Sequence, residues 1–175
     1  MSDPIKQVRE FHEAFGQEQA DSPTAIDETT ALSRSIWTGE ELIEFLYASV
    51  GGDSEKFARI CEDFQQGLTD ATKKIIDKRP DVSDILVSQA DALTDMMYFT
   101  YGTFAIAGIE PQPLFDIVQE ANMGKLWEDG KPRYREDGKI MKPPIWEQHF
   151  APEPKLKKEI ERQSSAYFQH SRRNF

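Results

Sequence analysis

Three glutamates, Glu40, Glu41 and Glu44, interrupt an otherwise apolar stretch of the sequence. On a helix, residues three or four apart share a face, so all three carboxylates would lie on one side. The positions between and after them are large and apolar, which predicts a mostly buried helix: Leu42, Ile43, Phe45 and Leu46. Buried acids repel one another and are costly to desolvate, so we expect a cation to pair with them.

Thr38 offers a purely structural explanation for one of these acids. Thr38 and Glu41 have the spacing of a capping box, in which a hydroxyl and a carboxylate satisfy the first backbone N–H groups of a helix. The polar, irregular residues 17–35 would then form an extended connection before this helix. A capping role would account for Glu41 but would leave Glu40 and Glu44 unexplained.

A second acidic pair, Asp91 and Asp95, stands four residues apart in another apolar segment. Two helices that each carry carboxylates on one face can build a site made only of oxygen ligands. Oxygen ligands suit Mg²⁺, Mn²⁺ or Ca²⁺ and argue against zinc. The competing interpretation is a solvated acidic face on each helix.

Composition limits the classes of protein to consider. The chain has 175 residues, a formal net charge of -10 and one cysteine, Cys61. This length predicts a single domain spanning residues 1–175. The acidic balance disfavours binding to a nucleic-acid polymer, and a lone cysteine forms no disulfide within the chain. The sequence shows neither a signal peptide nor an apolar run long enough to span a membrane, so we expect a cytoplasmic protein with no membrane partner.

Helical periodicity runs through every apolar segment, and no segment alternates as a strand does, which predicts an all-α fold. Besides the acidic helix, which should end at Gly51-Gly52, the pattern predicts helices at about 3–16, 54–78, 82–107, 113–123 and 155–169. We expect a four-helix-bundle-like core in which the two acidic helices pack antiparallel, with extra helices at the N- and C-termini. No internal repeat is evident at this level.

The character of the chain changes at Asn122. Residues 122–155 are rich in glycine and proline and lose helical periodicity, which predicts a long loop before a C-terminal helix and tail at 156–175. Between residues 122 and 142 there are six basic and four acidic residues, a local excess of positive charge in an acidic chain. Such a loop is suited to contact phosphate.

In this order, the motifs resemble those of the all-α nucleoside triphosphate pyrophosphohydrolases, the MazG-like superfamily that includes phosphoribosyl-ATP pyrophosphohydrolase. The family's Glu-Glu-x-x-Glu motif matches residues 40–44. Its second motif, Glu-x-x-Asp, is met by Asp95 alone, because Ala92 occupies the first position and Asp91 lies one residue further back. The stretches 122–125 and 137–142 are also similar to the phosphoribosyl-ATP pyrophosphohydrolase-like branch.

The resemblance implies a Mg²⁺-dependent enzyme, with Mn²⁺ as the alternative metal, that cleaves a nucleotide to monophosphate and pyrophosphate. The implied metal ligands are Glu40, Glu41, Glu44, Asp91 and Asp95, with Glu41 as the catalytic base. The basic and polar residues placed to contact substrate are Arg34, Asn122, Lys125, Lys139 and Lys142. The resemblance also implies a homodimer or higher homo-oligomer whose sites are completed by a neighbouring subunit.

Other functions fit the sequence less well. A di-iron bundle needs Glu-x-x-His pairs, and no histidine has a glutamate three residues before it. A P-loop is disfavoured because residues 51–56 lack the Gly-Lys-Ser/Thr ending. The remaining alternative is a non-catalytic helical interaction module in which the acids form a docking surface. Metal-dependent hydrolysis distinguishes this module from the enzyme.

Overall fold

A computed structural model describes the backbone of residues 3–171 and the side chains of residues 3–166. This part of the chain folds into seven helices: α1 (Pro4–Ala14), α2 (Glu28–Ser49), α3 (Ser54–Lys78), α4 (Ile85–Ala107), α5 (Pro111–Met123), α6 (Trp146–His149) and α7 (Glu153–Ser171). Extended pairing in the same residues amounts to one antiparallel bridge between Tyr134 and Ile140. The predicted all-α fold is confirmed.

Most helix boundaries follow the signals in the sequence. Asp3 and Asp53 are the N-caps of α1 and α3, and each carboxylate accepts hydrogen bonds from backbone N–H groups of the first turn. Helix α3 ends where Arg79 adopts a left-handed conformation with φ 45°, just before Pro80. Gly51 and Gly52 both have positive φ and form the turn between α2 and α3.

The start of α2 differs from the prediction. The helix begins at Glu28, and Asp27 is its N-cap, accepting from the backbone N–H groups of Thr29 and Thr30. Residues 28–35 are therefore helical rather than extended. Thr38 lies inside the helix, where its hydroxyl donates to the carbonyl of Arg34 at 3.0 Å, so the predicted capping box with Glu41 is wrong.

The chain forms two compact units. The first unit combines residues 3–22 with the chain from Thr94 onward, and in it α5 packs against both α1 and α7. The buried apolar side chains of the described residues all lie in this unit: Phe15, Ala121 and Trp146. Gln7 on α1 donates to the carboxylate of Asp116 on α5 at 2.9 Å, which adds a polar contact to the α1–α5 interface.

The second unit, Pro23–Leu93, contains α2 packed against α3. The side-chain amide of Gln89 forms two hydrogen bonds with the backbone of Ile26, at 2.8 and 2.7 Å, and so fixes the segment before α2 to the start of α4. No described residue of α2 or α3 is buried. The prediction of a mostly buried acidic helix is therefore wrong for one chain, because no other element covers the outer faces of Leu42 and Phe45.

Helix α4 begins in the second unit and ends in the first. It is the most hydrophobic long helix, yet none of its residues is buried within the described chain. Tyr98 is 76% exposed, Phe99 is 72% exposed and Ile106 is 90% exposed. The antiparallel packing of α2 and α4 and the single-domain organisation both stay predictions.

Residues 125–142 contain more local structure than the predicted irregular loop. Trp127-Glu128-Asp129-Gly130-Lys131 and Arg135-Glu136-Asp137-Gly138-Lys139 share a Glu-Asp-Gly-Lys sequence and the same turn. In each turn the first residue's N–H bonds the carbonyl of the lysine, the glycine has positive φ, and the aspartate accepts from the lysine N–H. The expectation of no internal repeat is therefore wrong over this short stretch.

The second of these turns closes a small β-hairpin. Arg135 N–H donates to the carbonyl of Lys139 at 2.8 Å, and Met141 N–H donates to the carbonyl of Arg133 at 2.8 Å. Gly138, at φ 79°, supplies the left-handed residue that a three-residue hairpin loop requires. The chain then continues to α6, a helix within the range predicted as loop. No described helix is both long and apolar enough to cross a membrane.

Candidate active site

The five predicted metal-ligating acids all project from exposed positions on two helices. Glu40, Glu41 and Glu44 lie on α2, and Asp91 and Asp95 lie one turn apart on α4. Within the described part of the chain, no three acidic, histidine or cysteine side chains converge to form a metal site. The cluster expected from the sequence is thus not assembled from one chain's described residues alone.

These acids are nevertheless available for a cation. The ion pairs of the described chain use other carboxylates, such as Asp129 with Arg133 and Glu120 with Lys155, and none involves the five candidates. Like charges one helical turn apart cost about 0.2–0.5 kcal/mol per pair in isolated helices, and none of the ion pairs among residues 3–166 offsets this cost. A set of unpaired carboxylates matches the oxygen ligands that Mg²⁺ or Mn²⁺ prefers.

A second group of candidate residues does come together, at the C-terminal end of α5. The side-chain oxygen of Asn122 accepts a hydrogen bond from the ammonium of Lys125 at 2.8 Å. The ammonium of Lys142 is close enough to Lys125 to affect its ionisation. Asn122, Lys125 and Lys142 thus come together from positions up to 20 residues apart. We call the two cations, Lys125 and Lys142, the lysine pair.

The surroundings of the lysine pair favour the binding of an anion. Burial of Lys125 lowers the pKa of its ammonium below the ordinary value of 10.5, and the positive charge of Lys142 lowers this pKa further. Both effects disfavour the charged ammonium until a negative group binds next to it. Phosphate would supply that charge, and so the cluster has the electrostatic character of an anion site.

Lys139 lies apart from the pair, exposed on the β-hairpin. The hairpin is attached to α1 through Tyr134, whose hydroxyl donates to the carbonyl of Phe15. Phe15 is only 1% exposed and stacks on Phe11, so this anchor is firm. The position of Lys139 is therefore set by local turn geometry and by one contact with a buried part of the first unit.

Arg34, the remaining candidate, has a local partner. Its guanidinium lies over the ring of Trp37, 5.2 Å from the ring centre, on the exposed surface of α2. Arg34 lies six residues, or about 1.7 helical turns, before Glu40 on the same helix. Its contact with phosphate stays a prediction.

The sequence alone did not single out Trp146. It is 5% exposed, its indole N–H donates to the carbonyl of Ala121 at 2.8 Å, and its ring lies 3.6 Å from the ammonium of Lys142. The available signal was weak, because Trp146 lies four residues after Lys142 in a proline-rich stretch that lacks periodicity.

Comparison with known proteins places the fold and motifs in one family. A family profile for phosphoribosyl-ATP pyrophosphohydrolase matches residues 8–122, which is more than half of the chain. This range contains all five acids and ends at Asn122, so the lysine pair and Lys139 lie at or beyond its limit. A search of curated proteins finds no significant match.

The chain is also similar to a solved structure. A crystal structure of a candidate NTP pyrophosphohydrolase from Exiguobacterium sp. 255-15 aligns with a TM-score of 0.86 and 43% sequence identity, over 95% of this chain and 98% of that one. This alignment extends well past the family match. The chain therefore belongs to the phosphoribosyl-ATP pyrophosphohydrolase family and is a hydrolase that acts on the phosphoanhydride bonds of nucleotides.

Proposed function

We propose that this protein is a Mg²⁺-dependent nucleoside triphosphate pyrophosphohydrolase that releases a nucleoside monophosphate and pyrophosphate. The observation that carries the proposal is the set of five unpaired carboxylates on α2 and α4, in a chain that belongs to a pyrophosphohydrolase family. The 43% identity to a candidate NTP pyrophosphohydrolase favours a triphosphate substrate. Family membership excludes the alternative of a non-catalytic docking module.

The acids divide into two roles in this proposal. Glu40, Glu44 and Asp95 hold the metal, and Asp91 adds a carboxylate one turn before Asp95. Bound Mg²⁺ offsets charge on the phosphates and favours ionisation of water at the site. Glu41 accepts the proton of the attacking water, since it adjoins both Glu40 and Glu44 on one side of α2. Mn²⁺ fits the same oxygen ligands.

The basic residues orient the phosphates. The lysine pair and Lys139 act as point charges toward phosphate oxygens, and Asn122 keeps the Lys125 ammonium in place through the 2.8 Å hydrogen bond between them. Arg34 supplies a forked contact when it leaves the ring of Trp37. In this proposal the attacking water breaks the bond between the α- and β-phosphates. The carboxylates bind the metal and accept the water's proton, and the lysines bind the pyrophosphate that leaves.

We further propose that the site is completed in a homo-oligomer, with a dimer as the smallest form. Large apolar side chains are exposed along all three long helices: Leu42, Phe45, Leu68, Ile75, Leu93, Met97, Phe99 and Ile106. An apolar surface of this extent marks a protein interface in a water-soluble protein. A second copy of the chain would cover it, and would also bury the acids that one chain leaves exposed.

The experiment that tests the function is a panel of ribo- and deoxyribonucleoside triphosphates with pyrophosphate release as the readout. Each substrate is assayed with Mg²⁺, with Mn²⁺ and with a chelator. The proposal expects pyrophosphate from at least one triphosphate, with no release in the chelator. If no triphosphate in the panel yields pyrophosphate with either metal, the proposed substrate class is wrong.

A further inference from the structure

We infer that Trp146 is a positioning residue for phosphate binding, because one buried indole fixes both members of the lysine pair. The inference rests on the proposed function, in which Lys125 and Lys142 contact phosphate, and assigns the residue that sets their geometry. Trp146 itself touches neither phosphate nor metal in this assignment. It acts through two separate contacts, one made by its ring face and one made by its N–H group.

The first contact holds Lys142. The ammonium lies 3.6 Å from the centre of the Trp146 ring, which is a close cation–π distance, and 3.5 Å from a carboxylate oxygen of Glu147. Trp146 is 5% exposed, so its ring cannot rotate away without breaking the core of the first unit. The Lys142 side chain is thus held over a buried ring before phosphate binds. The lysine therefore loses less conformational entropy on binding.

The second contact holds the turn that carries Asn122 and Lys125. The last carbonyls of a helix have no partner within the helix. At the end of α5, backbone N–H groups that follow satisfy the carbonyls of Glu120, Asn122 and Met123. The carbonyl of Ala121 is satisfied by the Trp146 indole at 2.8 Å in a buried position, so Trp146 completes the C-terminal cap of α5.

Packing of the same segment supports this arrangement. Phe150 N–H donates to the carbonyl of Trp146 at 2.7 Å, and the Phe150 ring lies against Gly124. A Cβ atom at Gly124 would approach that ring to 2.3 Å, so only glycine fits between Asn122 and Lys125 here. Trp146 and Phe150 thus both contact the end of α5, and they connect it to a segment about 25 positions later in the chain.

The test is a double-mutant cycle on pyrophosphate affinity. Titration calorimetry with sodium pyrophosphate compares the wild type, Trp146→Leu, Lys142→Met and the double variant. We expect each single change to weaken binding about tenfold and the double variant to weaken it by clearly less than the product of the two single effects, because part of the Trp146 effect passes through Lys142. Trp127→Leu is the matched control: its ring also lies near a cation, Arg133, at 5.6 Å, and its affinity should equal that of the wild type.

Kinetics supply a readout that general loss of structure would not give. Trp146→Leu should raise KM with little change in kcat, since the acids on α2 and α4 are untouched. If Trp146→Leu does not fold, Trp146→Phe is used in a cycle with Lys125→Met: it keeps the aromatic face toward Lys142 but loses the N–H group that caps the turn carrying Lys125, and should weaken binding less in the Lys125→Met background than in the wild type.

The outcomes separate the inference from the function on which it rests. If Lys142→Met leaves pyrophosphate affinity unchanged, Lys142 does not bind phosphate, and the role of Trp146 fails together with that part of the proposed function. If Lys142→Met weakens binding but the effects of the two single changes multiply in the double variant, Trp146 does not position Lys142. The proposed function then stands, and the inference that one indole positions both lysines is overturned.

Discussion

At the scale of single residues, the proposed site residues fall into two sets: acids that make no ion pair and lysines that are held in place. The carboxylates on α2 and α4 make no ion pair within the described chain, whereas Lys125 is hydrogen-bonded and Lys142 lies over a buried ring. In the proposed function a metal binds the acids and phosphate binds the lysines.

Substitution of the acids should distinguish metal ligands from the base. Glu44→Gln is expected to abolish turnover and also the rise in melting temperature that Mg²⁺ gives the wild type, because a ligand is lost. Glu41→Gln should cut kcat by about 10²-fold or more while much of the Mg²⁺-induced stabilisation remains. Thermal melting with and without Mg²⁺, together with steady-state kinetics, measures both. Equal loss of metal stabilisation in the two variants would contradict the assignment of Glu41 as the base.

The lowered pKa of Lys125 predicts a pH-dependent stability difference. Burial makes the folded chain release the Lys125 proton more readily than the unfolded chain, whose ordinary pKa is 10.5. The unfolded state therefore binds more protons in the window below 10.5, and this group's unfavourable contribution to folding disappears as pH rises through that window. Lys125→Met removes the contribution at every pH. Its melting temperature relative to the wild type should thus be highest near pH 8 and should decline toward pH 11.

Lys139→Met is the control for this prediction. Lys139 is exposed on the β-hairpin, so its substitution should change the stability by no more than about 0.5 kcal/mol. A constant difference between Lys125→Met and the wild type across this range would show that Lys125 is not desolvated in the folded protein.

At the scale of elements, hydrophobic periodicity was sufficient to predict most helices, and it failed where polar residues form helix. The first part of α2 contains serine and threonine, which usually disfavour helix interiors. Here their hydroxyls donate to the carbonyls four residues back, as Ser33 does to Thr29 and Ser35 to Ala31. These local bonds satisfy the hydroxyl groups inside the helix, and the start of the helix is not visible in the spacing of apolar residues.

The β-hairpin was missed for a different reason. Asp137-Gly138 is a strong turn signal, but the flanking residues are charged and show no alternation of apolar and polar positions. Turn chemistry and the Tyr134 anchor hold this hairpin, rather than a buried face. The hydrogen bond between Trp146 and Ala121 could not be predicted from the sequence either, because it joins residues 25 positions apart across an aperiodic loop.

The two matching turns provide an internally controlled test of the hairpin. Gly130 and Gly138 have positive φ of 72° and 79°, so alanine at either position should cost about 1–2 kcal/mol of local strain. Only Gly138 precedes a lysine assigned to phosphate. Gly138→Ala is therefore expected to raise KM several-fold, whereas Gly130→Ala should leave KM near the wild-type value. Equal effects of both substitutions on KM would contradict the role of the hairpin.

At the scale of the whole molecule, the distribution of buried residues points to assembly. The buried apolar side chains of the described chain lie around α1, α5 and α6, while α2, α3 and α4 have none. An apolar periodic pattern predicts that one face of a helix is buried, but it does not say whether the same chain or another chain covers that face. The acidic helix was therefore expected inside, and in the described part of one chain it lies on the surface.

A charge placed on the apolar surface should therefore separate the subunits. Ile106 is 90% exposed, and in a monomer Ile106→Asp would change stability by no more than about 0.5 kcal/mol. In an oligomer it would bury an unpaired charge, so we expect dissociation and loss of activity. Sedimentation velocity measures the change. Ile5→Asp, at a 60% exposed position on α1, is the control and should leave the assembly intact. A monomeric wild type at micromolar concentration would refute the oligomer.

The most direct test of the central claim is to identify the bond that the enzyme cleaves. Phosphorus NMR follows the wild-type protein with Mg²⁺ and each nucleoside triphosphate in turn, and resolves monophosphate, diphosphate, pyrophosphate and orthophosphate. The account predicts monophosphate and pyrophosphate in equal amounts, with no diphosphate at any time and no reaction after chelation of the metal. Accumulation of nucleoside diphosphate and orthophosphate, or hydrolysis that continues without a divalent metal, would contradict it.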